Sequence, residues 1–101
     1  MTRVTTHVLD TAAGVPASGV NVTLLACDSD GTWQQLGSGV TDADGRLGGL
    51  PQVENGRHRL SFATASPFFP EVTVTFTVTD EPHLHVPLLL SPYGYTVYRG
   101  T

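Results

Sequence analysis

Lysine is absent from the sequence, and its absence removes any chemistry that needs a Lys amine to form a Schiff base. All five basic residues are arginines, at positions 3, 46, 57, 59 and 99. Arginine favours fixed, planar recognition of anionic or carbonyl-rich groups. Cysteine is nearly absent: Cys27 stands alone, which excludes an internal disulfide and fits a reducing cytoplasm. No apolar run approaches the ~20 residues that a bilayer-spanning helix needs. Met1-Thr2-Arg3 leads straight into a strand-like pattern, without an apolar export segment. Five basic against nine acidic residues leave a net charge of −4, the wrong sign for general nucleic-acid binding. The expectation is a cytoplasmic protein of one domain, residues 1–101, with neither membrane nor nucleic acid as partner. A chain of this size is near the point where oligomerisation helps stability.

Helical periodicity is missing too. What is present is period-two alternation punctuated by turns. Val4, Thr6 and Val8 alternate with Thr5, His7 and Leu9, so His7 and Leu9 share a side. Val20 to Cys27 is apolar and β-branched enough for a second strand, closed by Asp28-Ser29-Asp30-Gly31. Trp33 to Thr41 is a weaker third. Thr41-Asp42-Ala43-Asp44-Gly45 is turn chemistry that delivers Arg46 as the chain becomes extended. His58, Leu60 and Phe62 alternate with Arg57, Arg59 and Ser61, and Val72, Val74, Phe76 and Val78 alternate with threonines. The spacing predicts an all-β sandwich of seven to eight short strands with little or no helix.

The stretch from Pro82 to Thr101, PHLHVPLLLSPYGYTVYRGT, organises the rest. Alternation puts Leu84, Val86, Leu88 and Leu90 on a core face and His83, His85, Pro87 and Leu89 on the other. Two imidazoles among apolar neighbours are a costly way to decorate solvent. Tyr95 to Tyr98 can run back as another strand, and the close on Tyr98-Arg99-Gly100-Thr101 predicts a docked end. His7, His83 and His85 could ligate a metal, but no carboxylate or thiolate sits at a spacing that completes the set. Histidine also titrates near neutral pH and suits acid/base work. Taken alone, Arg46 reads as a solvated turn residue, His58 as structural or exposed, and His83 as satisfied at a sheet edge.

PHLHVPLLLSPYGYTVYRGT closely resembles the C-terminal signature of the transthyretin-like 5-hydroxyisourate hydrolases, which follow urate oxidase in purine breakdown. Thr6-His7-Val8-Leu9-Asp10-Thr11 and Asp44-Gly45-Arg46 resemble that family's other two signatures, in the same order. The resemblance implies a transthyretin-like β-sandwich, a homotetramer with sites between subunits, and hydrolysis of 5-hydroxyisourate without a cofactor or metal. It assigns catalytic roles to His7, Arg46, His85 and Thr101, and substrate binding to His7, Arg46, Tyr98, Arg99 and Gly100. Members usually end in Ser where this chain has Thr101, which keeps the hydroxyl and adds a methyl. They usually carry a short helix where this chain offers only Ala65-Ser66-Pro67. Two rivals stand beside that reading: a carrier of the same fold that binds small molecules without catalysis, and a metal-dependent hydrolase using His7, His83 and His85.

Overall fold

The computed structural model describes residues 1–101, and it contains no helix. The strands are β1 (Arg3–Asp10), β2 (Val15–Pro16), β3 (Asn21–Cys27), β4 (Trp33–Val40), β5 (Arg46–Leu47), β6 (Gly56–Ala63), β7 (Glu71–Val78), β8 (His83–His85), β9 (Leu88–Ser91) and β10 (Gly94–Val97). β2 and β5 are two-residue pieces, so the expected seven to eight strands correspond to the longer elements.

Two sheets face each other. One is antiparallel throughout, in the order β4-β3-β6-β7. The other is built around β1. On one edge of β1, β8 and β9 pair parallel with it, and β10 returns antiparallel along β9. On its other edge, β5 and β2 pair antiparallel, and Val8 donates its N–H to the Gly45 carbonyl at 2.8 Å. Alternation decides which side chains enter the core. Val4 and Val8 of β1 are buried with Leu84, Val86 and Leu88, opposite Val22, Leu24, Leu60, Phe62, Val72 and Val78. Thr5, His7 and Leu9 lie half-buried on the outer face of β1.

His83 to Ser91 is not one strand. Pro87 has no N–H to give the ladder, so pairing with β1 lapses between β8 and β9 and resumes in the same register, Thr5 opposite His85 and Val8 opposite Leu88. At the break, the Thr6 hydroxyl donates to the Val86 carbonyl at 2.6 Å, which keeps that buried acceptor satisfied. The connection between β6 and β7 has no helix either. It is closed by Thr64, whose N–H donates to the Pro70 carbonyl and whose hydroxyl donates to that of Phe69.

The turn into β5 fixes where Arg46 leaves the backbone. One carboxylate oxygen of Asp42 accepts the N–H of Asp44 at 2.9 Å and of Arg46 at 3.0 Å. Gly45 completes the turn at φ +76°, where a Cβ would lie 2.4 Å from the Val8 carbonyl oxygen. Only glycine fits there. Gly45→Ala should therefore destabilise the fold by more than about 1 kcal/mol, lowering the thermal midpoint by several degrees. Calorimetry of the variant checks this, and an unchanged midpoint would contradict it.

Candidate active site

Strand pairing, not proximity in sequence, assembles the site. Residues paired across strands share a face. Thr5 is paired with His85, Arg3 with His83, and His7 with Arg46, and Arg3, Thr5 and His7 already alternate onto the outer face of β1. Both neighbours of β1 thus present their functional side chains beside His7. There the surface forms a cavity of about 320 Å³ lined by Thr5, Thr6, Arg46, Leu47, Gly48, His83, His85 and Thr101.

Hydrogen bonds orient the imidazoles. His7 Nε2 lies 2.8 Å from the Asp44 carbonyl oxygen. A carbonyl only accepts, so Nε2 carries the proton and Nδ1 of the neutral ring keeps a free lone pair. The Thr5 hydroxyl stands between two rings, 2.7 Å from His83 Nε2 and 2.8 Å from His85 Nδ1. No protein group bonds the remaining His85 nitrogen, Nε2. The ring is half-buried, and a Cβ at position 100 would come within 2.6 Å of its Cδ2. Gly100 is therefore the residue that lets the chain end pass over His85, to whose carbonyl it donates at 2.8 Å.

The electrostatics are one-sided. Arg46 has no carboxylate within ion-pair distance, and the one ion pair in the chain, Arg99 with Glu81 at 3.8 Å, lies elsewhere. Burial pushes the His85 pKa below its ordinary value, and the charges of Arg46, His83 and His7 push it the same way. The result is a histidine biased toward its neutral form, able to accept a proton, next to an arginine that stays charged. Such a pair can activate water and hold the oxygen that gains charge when the water attacks a carbonyl.

Of the residues singled out from sequence, Arg46, His85 and Thr101 line the cavity, His7 flanks it, and Gly100 holds its rim. Tyr98 and Arg99 are not brought there within one chain. They line a separate cavity of about 260 Å³, mostly apolar, with Val74, Phe76, Val86 and Val97 among its walls. His83, read from sequence as an edge residue, belongs to the site. Thr5 was missed entirely, because only the parallel register places it between two imidazoles. His58 is buried, its ring 6.2 Å from that of Phe76, and takes no part. No three His, Cys, Asp or Glu side chains are arranged to hold a metal ion.

Comparison with known proteins accords with this geometry. The profile of the HIUase/Transthyretin family matches residues 4–100. The 5-hydroxyisourate hydrolase of Mus musculus is 43% identical, covering 96% of this chain and 93% of its own. The structure of the Klebsiella pneumoniae 5-hydroxyisourate hydrolase superposes with a TM-score of 0.85 at 32% identity, covering both chains completely. Sea bream transthyretin, solved in complex with thyroxine, superposes with a TM-score of 0.91 at 30% identity, covering 98% of this chain and 95% of its own. The chain belongs to the HIUase/Transthyretin family.

Proposed function

We propose that this protein hydrolyses 5-hydroxyisourate, opening its cyclic amide to 2-oxo-4-hydroxy-4-carboxy-5-ureidoimidazoline. One observation carries the reading: His85, half-buried with no protein partner on Nε2, and Arg46, without a carboxylate partner, meet beside His7 around one cavity. His85 Nε2 takes a proton from water as the oxygen attacks the ring carbonyl. The carbonyl electron pair moves onto its oxygen, where the Arg46 guanidinium stabilises it. When the C–N bond breaks, the nitrogen takes the proton held by His85, and the carbonyl carbon becomes a carboxylic acid that releases its own proton to solvent. His7, its ring fixed by the Asp44 carbonyl, orients the water or substrate. Thr101 offers a hydroxyl at the cavity wall.

The fold is also that of a thyroxine-bound transthyretin, and backbone likeness does not choose between carrier and catalyst. Side chains favour the catalyst, since a carrier has no need of titratable imidazoles beside an unpaired arginine. We also place the protein in a homotetramer. β7 and β10 end their sheets on the flank where Val74, Phe76 and Val97 line an apolar cavity, and unprotected edges of that kind invite pairing with another chain. Light scattering should return about four times the 10.7 kDa chain mass.

Purified protein should accelerate the decay of freshly generated 5-hydroxyisourate, followed by absorbance, and keep its rate after dialysis against a strong chelator. His85→Ala and His7→Ala should each lower turnover about 10²-fold or more with the fold intact, the scale of a lost acid or base. Loss of activity to chelator, restored by zinc, would move the reading to a metal enzyme.

The pH dependence follows from His85. Its pKa in the folded protein lies below the ordinary 6.5, so turnover should persist as pH falls past that value and drop only when the ring protonates. Arg46→Gln removes one cause and leaves burial, the larger one. The acid limb of its residual activity should move upward in pH but stop short of an unperturbed histidine. The same depression means that His85 contributes stability above pH 6.5 that is lost as pH falls through its folded-state value. An acid limb unmoved by Arg46→Gln would show that another group sets it.

A further inference from the structure

The outer face holds a third imidazole that the hydrolytic scheme does not use. His83 is exposed, yet its Nε2 lies 2.7 Å from the hydroxyl whose oxygen is also 2.8 Å from His85 Nδ1. A hydroxyl has one proton to give. If it donates to His83, it accepts from His85 Nδ1–H, and His85 Nε2 is left with the lone pair that a base needs. If it donates to His85, the Nε2 nitrogen carries the proton instead. The tautomer of His85 is therefore tied, through Thr5, to the state of His83.

We propose that the Thr5 hydroxyl and the exposed His83 form a proton relay behind His85. Resting on the hydrolase reading above, the relay runs as follows. His85 Nε2 takes the proton of the attacking water. The Nδ1 proton passes to the Thr5 oxygen, while the Thr5 hydroxyl proton passes to His83 Nε2. His83 then carries the positive charge, and His85 is neutral with its proton on Nε2, facing the cavity. Protonation of the departing nitrogen by Nε2–H, with return of a proton from His83 through Thr5 to Nδ1, restores the starting state. Over the cycle the protein gains and loses no proton, and the carboxylic acid product releases its own to solvent.

The surroundings give the relay a purpose. The side chains whose charge acts on His85 are cationic or can become so: His7 on β1, Arg46 on β5, and His83 on β8, opposite which Arg3 is paired. No carboxylate side chain is hydrogen-bonded to His85 to stabilise an imidazolium there, as one is in a Ser-His-Asp triad. Moving the charge to an exposed ring one strand position pair away places it where water can solvate it. The position of Thr5 is also well defined, because its carbonyl is held by the Val86 N–H at 2.9 Å.

Three variants test this: Thr5→Val, which keeps the shape and removes the hydroxyl; Thr5→Ser, which restores it; and His83→Gln, which can accept the Thr5 hydrogen bond but cannot carry a proton. Two readouts are needed, turnover and the tautomers of the four histidines by nitrogen-15 NMR of the resting protein. Thr5→Val should lower kcat by about 10-fold or more, less than loss of the base itself, with KM little changed, and should mix the His85 tautomers. Thr5→Ser should recover both. His83→Gln should keep the resting His85 tautomer yet lose kcat. Wild-type kcat in both Thr5→Val and His83→Gln, or a His85 tautomer indifferent to Thr5→Val, would overturn the relay. If the wild-type protein itself fails to hydrolyse 5-hydroxyisourate, the functional reading fails instead, while the NMR arm still decides whether Thr5 positions His85.

Discussion

The parallel pairing of β1 with β8 and β9 is the constraint on which the rest of the structure depends. It joins the start of the chain to its end, so its loop-closure cost is met only when the intervening strands have somewhere to pack. Val4 and Val8 then meet Leu84 and Leu88 on the inner face, and that burial holds the register. The outer face is a consequence of the same register. A slip by one residue would turn His85 into the core and Leu84 into the cavity, so stability and site geometry are set by one choice.

The site's character follows from what lies around it. Arg46 reaches the cavity from a turn whose backbone is tied down by Asp42, while no carboxylate competes for its guanidinium. Arg99 is the contrast: it lies 3.8 Å from Glu81, away from the cavity. Burial and a nearby cation work together on His85, holding it neutral where an isolated imidazole would be partly protonated. An acid/base group and an electrostatic stabiliser can then act at the same pH.

How far the sequence showed this can be followed residue by residue. Alternation in Val72 to Val78 and in Val4 to Leu9 identified strands and their buried faces, because period two is a local property. Turn chemistry from Thr41 to Gly45 put Arg46 after a turn, while the roles of Arg46, His85 and Thr101 in a site came from the resemblance of short signatures. Thr5 and His83 were not legible as partners, because nothing local says that residue 5 lies beside residue 85 rather than another. Pro87 was read as part of one continuous strand, although its missing N–H divides the ladder into two. The chain leaves β10 after Val97, so Gly100 reaches His85 while Tyr98 and Arg99 stay over the apolar cavity. No periodicity argument specifies such a departure.

The central claim is that recognition and chemistry occur on the outer face of β1 and not in the apolar cavity beside Tyr98. Titration of the protein with urate, an unreactive relative of the substrate, followed by the side-chain NMR signals of its four histidines, tests it most directly. The account predicts that His7, His83 and His85 shift together along one saturation curve while buried His58 stays still. Saturable shifts at Val74, Phe76 and Val97 with the three outer-face histidines unmoved would contradict it.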